Sequence, residues 1–264
     1  MFRKVIALGI FFGGLVNESK GQSLAPIQLD RPDQTECPFL TPEKYLQVET
    51  GFLYEKITDG VESTSHPSIL WKYGLNSRME LRMITALVNV KTDAGSTTGI
   101  PPITFGFKTS LIEEKGIVPK ISFLGHFTTT TLGSKDFQAS YAAPEFRFSF
   151  NHTLCEKMTL SYNLGAEWNG ETPEHTYVYT LTTGYSITDK LGCFAEVYGF
   201  LPADLEADHR VDAGVTYLIN NDWIIDVSGG IGLSETSPDY FIGAGISFRF
   251  NTVKAYPPIR NEMF

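Results

Sequence analysis

Several things that define other protein classes are scarce in this sequence. Only three cysteines occur, at positions 37, 155 and 193, too few and too scattered for a disulfide scaffold or a zinc knuckle. The five histidines include no pair with metal-ligand spacing. Charged residues make up 19% of the chain, below the usual quarter. Acids outnumber bases by 30 to 21, for a net charge of -9. A chain of that sign repels phosphate, which argues against a nucleic-acid partner. Beyond the first segment there is no run of about 18 apolar residues, so no transmembrane helix is expected. Helical periodicity is almost missing as well. What is present is apolar and aromatic, 42% and 13% of residues, enough to exclude disorder. The mean hydropathy of -0.08 matches a soluble protein, so the patterning has to decide.

Residues 1–21 read as a secretory signal peptide. Arg3 and Lys4 supply the positive start, and Val5 to Val16 the apolar run. Ser19 and Gly21 are small residues before a cut at Gln22. The apolar run is too short to span a bilayer.

The remainder alternates with period two. Met158, Leu160, Tyr162, Leu164, Ala166 and Trp168 share one face, and Thr159, Ser161, Asn163, Gly165 and Glu167 the other. Only a strand sorts side chains this way. Tyr240 to Phe250 and Trp223 to Leu233 repeat the pattern. About a dozen strands are predicted, at 45–57, 67–75, 78–90, 102–112, 117–130, 137–150, 156–168, 174–186, 191–200, 208–218, 222–232 and 239–250. Most have the length of a tilted membrane-spanning strand. Tight turns at 76–77, 113–116, 188–190 and 220–222 alternate with longer polar loops at 58–66, 91–101, 169–174 and 233–238. The 131–136 loop and 151–155 turn fit less clearly. Long loops on one side and short turns on the other are the outer-membrane barrel pattern, and an even strand count returns both ends to the periplasm. The predicted fold is therefore all-β: a closed antiparallel up-and-down transmembrane barrel of about 12 strands over residues 45–250. A leader at 22–44 precedes it and a periplasmic tail at 251–264 follows.

In such a barrel the apolar face meets lipid and the polar face lines the lumen. The polar face carries Glu49, Lys72, Glu80, Arg82, Lys108, His126, Glu145, Arg147, Glu167, Glu196, Arg210, Asp212, Asp226 and Arg249. They could line a selective path, or pair with one another and fill the barrel. The apolar face carries aromatics near strand ends (Tyr54, Trp71, Tyr73, Phe150, Trp168, Tyr177, Tyr185, Tyr217, Trp223), as interfacial girdles do. A soluble sandwich would explain the alternation but not the girdles.

Four prolines (26, 32, 38 and 42) keep the leader from forming strand or helix. It is either a periplasmic linker or a lumen plug held by Asp30, Arg31 and Asp33. No catalytic group is expected. A lipid-modifying barrel enzyme would need a Ser and a His on the lipid-facing wall, but His126 shares the polar face with Ser122 and Thr128. No G-x-S-x-G element exists. Asp204, Glu206 and Asp208 could bind calcium, but a solvated acidic loop is the simpler reading. Cys155 and Cys193 fall two strands apart, beyond disulfide reach. Free thiols are expected, or a bridge from Cys37 to one of them. No metal or cofactor is expected.

The leader's Asp30-Arg31-Pro32-Asp33-Gln34-Thr35-Glu36, followed by Gln47-Val48-Glu49-Thr50-Gly51, resembles the outer-membrane transporter family of the phenol-degradation meta pathway. The likeness runs over nearly the whole mature chain, with the leader as its sharpest motif. It implies passive passage of small hydrophobic or aromatic compounds across the outer membrane of a Gram-negative bacterium, with no catalytic residues. Membrane lipids and a small-molecule substrate are then the expected partners. A structural or adhesive barrel without transport, a ligand-binding module and a lipid-modifying barrel remain the alternatives.

Overall fold

A computed structural model describes residues 24–253; the expected signal peptide at 1–21 and most of the expected 251–264 tail lie outside the described residues. The strands are Tyr45–Thr58 (β1), Val61–Asn76 (β2), Met79–Thr92 (β3), Gly95–Gly99 (β4), Thr104–Ile112 (β5), Lys120–Thr128 (β6), Ala143–Cys155 (β7), Met158–Trp168 (β8), His175–Ser186 (β9), Leu191–Pro202 (β10), Asp208–Asn220 (β11), Trp223–Gly232 (β12) and Tyr240–Asn251 (β13). Twelve of them form the wall. Each pairs antiparallel with its chain neighbour, and β1 closes the ring against β13, with Gln47 opposite Arg249. The short β4 pairs only with the outer end of β3 and extends that loop.

Burial is inverted relative to a soluble protein. Lys72, Glu49, Glu80, Lys108, Asn163, Ser122, Ser149 and Ser247 are fully enclosed, while Phe105, Leu164, Tyr177, Val227, Ile231 and Ile242 on the other faces of strands lie on the outer surface. A polar inside and a continuous apolar outside suit lipid contact and would be a large aggregation patch in water. A soluble sandwich is excluded on that ground. Closure also pairs both edges of the wall strands, as a bilayer demands. At the turn-bearing end of the wall Trp223 stacks on Phe248 at 4.6 Å, and at the loop-bearing end Tyr54 sits 6.0 Å from Tyr240. Aromatics thus mark both rims.

Several element boundaries differ from the sequence expectation. The segment 58–66, expected as a long loop, is a tight hairpin. Asp59-Gly60 makes the turn, Gly60 adopting φ 80°, and β2 begins at Val61. The register shift between Ser65 and Ser68, at Pro67, interrupts the alternation and hides the strand. The fifth wall strand is shorter than expected and the sixth is displaced. β6 spans Lys120–Thr128, within the expected 117–130. β7 spans Ala143–Cys155, not 137–150, because residues 129–142 form a folded loop with one 3-10 turn at Lys135–Phe137. The expected turn at 151–155 is strand, and the chain reverses at Glu156-Lys157. Lastly, 91–101 contains β4. Cys155 therefore ends β7, three strands from Cys193 on β10.

Candidate functional site

The alternation that builds the wall aims every charged side chain of the predicted set into the lumen, and there the charges segregate. Lys72, Arg82 and Lys108 stand on β2, β3 and β5. Glu196, Asp212 and Asp226 stand on β10, β11 and β12, across the barrel. The leader runs between these two walls and answers both.

Asp30 of the leader meets the basic wall. Its carboxylate accepts from Lys72 Nζ at 2.8 Å, Arg82 Nη1 at 2.9 Å and Lys108 Nζ at 2.7 Å, all fully buried. Glu36 adds bonds to Arg82 at 2.9 Å and Lys108 at 3.2 Å. The strand acids Glu49 and Glu80 complete the cluster, at 2.5 Å from Lys72 and 3.1 Å from Arg82. Arg31, the next residue, points the other way and pairs with Asp226 at 2.9 Å. Its guanidinium lies against Gly51 and Gly245, where any Cβ would overlap it. The adjacent Asp-Arg dipeptide thus spans the lumen from wall to wall.

Backbone contacts fix the rest of the leader. Glu196 accepts from the Gln34 N–H at 2.7 Å and from the Thr35 hydroxyl. Asn163 accepts from the Glu36 N–H at 2.7 Å and donates to the Glu36 carbonyl at 2.9 Å. Ser122 donates to the Pro38 carbonyl at 2.7 Å, and Glu80 accepts from the Thr41 N–H at 2.6 Å. Without the leader the Asn163 amide and the Ser122 hydroxyl would be buried polar groups without a partner. Asp33 departs from the expectation. Among the described residues it makes no ion pair, because it lies on the acidic side near Glu196 and Asp212, where Arg31 is already held by Asp226.

The remaining predicted lumen residues form smaller groups. His126 Nδ1 meets Glu145 at 2.9 Å, Arg147 bridges Glu145 at 2.5 Å and Glu167 at 3.3 Å, and Arg147 also donates to the Gln34 carbonyl at 3.2 Å. Nearer the outer rim Arg210 holds Asp208 at 2.5 Å and Glu55 at 3.2 Å. At the turn-bearing rim Arg249 pairs with Asp222 at 2.8 Å and donates to the Ala25 carbonyl. His126 points inward, and Ser122 is engaged with Pro38, so the two form no dyad. The three cysteines are free, with Cys155 exposed. Asp208 is committed to Arg210 and Ser237, apart from exposed Asp204 and Glu206. Among the described residues no three His, Cys, Asp or Glu converge to hold a metal.

Sequence reasoning gave no role to Gln34, Thr35, Glu36 and Gln47, which it read only as motif residues, or to Asn163, which it placed only on the polar face. The leader has no periodicity, so nothing in it predicts which wall a residue faces. It also missed an apolar stripe in the lumen: Phe194, Tyr198 and Phe200 share the inward face of β10 with Glu196, by the same alternation that was used for the charges.

The leader does not fill the lumen. On the periplasmic side a cavity of about 430 Å³ is walled by Thr159, Ser161, Thr182, Phe194, Thr216 and Ile224. Toward the outside lies another of about 180 Å³ against Glu49, Ser68, Leu70 and Ile84. Arg31, Pro32 and Asp33 line both.

Solved structures of similar fold are outer-membrane barrels. An outer membrane channel from Pseudomonas putida F1 matches with a TM-score of 0.62 at 14% identity, covering 84% of this chain and 100% of that one. The KdgM porin and the NanC porin each match with a TM-score of 0.52, at 10% and 9% identity. Each covers 77% of this chain, and the match takes in 99% and 98% of their own lengths. At such identities the likeness is one of fold. No curated protein matches the chain significantly. The sequence itself, over residues 29–250, matches one family, and the chain belongs to it: the family described as "Putative MetA-pathway of phenol degradation".

Proposed function

We propose that this Gram-negative outer-membrane barrel is a passive channel for small uncharged compounds, apolar or aromatic, and that its leader is the plug of that channel. The single observation that carries this reading is the position of Arg31–Asp33 between the two lumen cavities. The chemistry of the walls supports an uncharged cargo. The lumen cations are matched by acids of the strands and leader, which leaves the larger cavity lined chiefly by hydroxyl, glycine and apolar side chains. An anion entering it would shed water beside the unpaired Asp33, a costly step. A neutral ring would not. The outer-membrane channel of similar fold agrees with passive transport, and the family's description with an aromatic cargo. The reading assigns the barrel no bond-making step.

The pairing of the lumen cations also favours a second reading, in which the charges only fill a structural barrel. Reconstitution in liposomes separates the two. A channel takes up a neutral aromatic such as benzyl alcohol faster than protein-free vesicles, and more so after deletion of residues 24–42. A structural barrel does neither.

A further inference from the structure

At the outer mouth the barrel holds a third cavity, of about 300 Å³, beneath the 129–142 loop. Ile84 and Ala86 of β3, Pro101, Pro102, Phe137 and Ala143 form most of its wall. The two hydroxyls that face it, of Thr104 and Thr128, hydrogen-bond each other at 2.6 Å, which leaves one O–H to donate to an occupant. This apolar enclosure differs from the ion-paired lumen below it. Ile84 lines both this cavity and the 180 Å³ space above Arg31, so the mouth leads toward the plug.

The walls are fixed before any ligand arrives. The Ser134 N–H donates to the Ile100 carbonyl at 2.8 Å, and the Ser134 hydroxyl accepts from the Ile100 N–H at 2.9 Å. The Ile103 N–H donates to Leu132 at 2.9 Å, Ala139 to Thr130 at 3.0 Å, and Tyr141 to Gly170 at 2.8 Å. These bonds tie the loop to its neighbours and carry the 3-10 turn that seats Phe137 over Gly99. The rim bears Asn169 and the carboxylate of Glu171, which would oppose an anion.

We propose that this cavity is a preformed outer binding site for a neutral, one- or two-ring apolar compound. Its volume sits at the lower end of small-molecule pockets, too small for an oligosaccharide. A preorganised apolar wall gives affinity without an ordering cost. The proposal rests on the transport reading for the direction of travel, not for binding itself.

The test uses the full mature chain in liposomes, with benzyl alcohol and benzoate as probes, read by saturation-transfer NMR against protein-free vesicles. Saturable binding of benzyl alcohol is expected, with benzoate at least tenfold weaker. Ala86→Trp, which fills the cavity from the strand wall, should weaken benzyl alcohol at least tenfold, and Phe137→Ala several-fold. If Ala86→Trp loses heat-modifiable gel migration, Phe137→Ala decides. No saturable signal, equal binding of benzoate, or unchanged binding in the folded variants would overturn the site. Uptake without binding refutes this site and leaves the channel standing. Binding without uptake keeps the site and refutes the channel.

Discussion

Replacing Asp30 by Asn removes one charge and leaves three buried cations facing an amide. Lys72, Arg82 and Lys108 approach that carboxylate at 2.7–2.9 Å, and an Asn offers one acceptor and two donors in its place. Breaking a buried ion pair by losing one partner costs about 3–5 kcal/mol. Here Lys72 keeps Glu49, Arg82 keeps Glu80 and Glu36, and Lys108 keeps Glu36, so the lower figure applies. About 3 kcal/mol shifts the docking equilibrium of the leader roughly 100-fold toward release. The wall should stay intact, since its strand pairing does not pass through the leader. The expected phenotype is a barrel with normal heat-modifiable migration, faster protease cleavage within residues 24–42, and more frequent open events in planar bilayers. Asp33→Asn, which removes no ion pair, serves as the control and should resemble the wild type. If Asp30→Asn matched the wild type in cleavage and conductance, the ion-pair account of docking would be wrong.

Other outcomes follow from the same geometry. Arg31→Ala removes the link to Asp226, a charged hydrogen bond of about 1.5–3 kcal/mol, and should raise benzyl alcohol uptake several-fold while the Asp30 anchors hold; unchanged uptake would show that 31–33 does not separate the cavities. Gly51→Ala places a Cβ where the Arg31 guanidinium lies and should act like Arg31→Ala in the same assay, a tight channel arguing otherwise. His126→Ala should leave uptake within twofold, whereas loss of a measured hydrolytic activity would revive an enzyme. In the periplasmic turn, the Thr153 N–H and hydroxyl donate to Glu114 at 2.6 and 2.8 Å and hold its carboxyl below the usual range. Because the folded value is depressed, the contact is present at neutral pH and lost as pH falls through that lowered value. The protection factor of the Thr153 amide should therefore fall only in acid, and a protection factor unchanged through that range would contradict it.

The wall was legible in the sequence because its rule is local. Met158 to Trp168 and Tyr240 to Phe250 carry their inside and outside in strict alternation, so faces, lumen charges and both girdles could be named. Legibility failed where the alternation broke. Pro67 hid half of β2, and the alternating look of residues 137–142 displaced β7 by about half a strand. The leader was a different case. Its prolines said only that it is irregular, and whether Asp30 and Arg31 face a wall depends on residues 19 to 195 positions away. No local pattern encodes that. The opposed signs of adjacent Asp30 and Arg31 make sense only once the lumen is seen to be basic on one wall and acidic on the other.

The central claim is that the leader closes an otherwise passable lumen. Single-channel recording of the mature barrel in planar bilayers, with and without residues 24–42, tests it most directly. The account predicts small or rare openings in the intact protein and a stable, several-fold larger conductance after the deletion. Equal conductance in two barrels that both show heat-modifiable migration would contradict it.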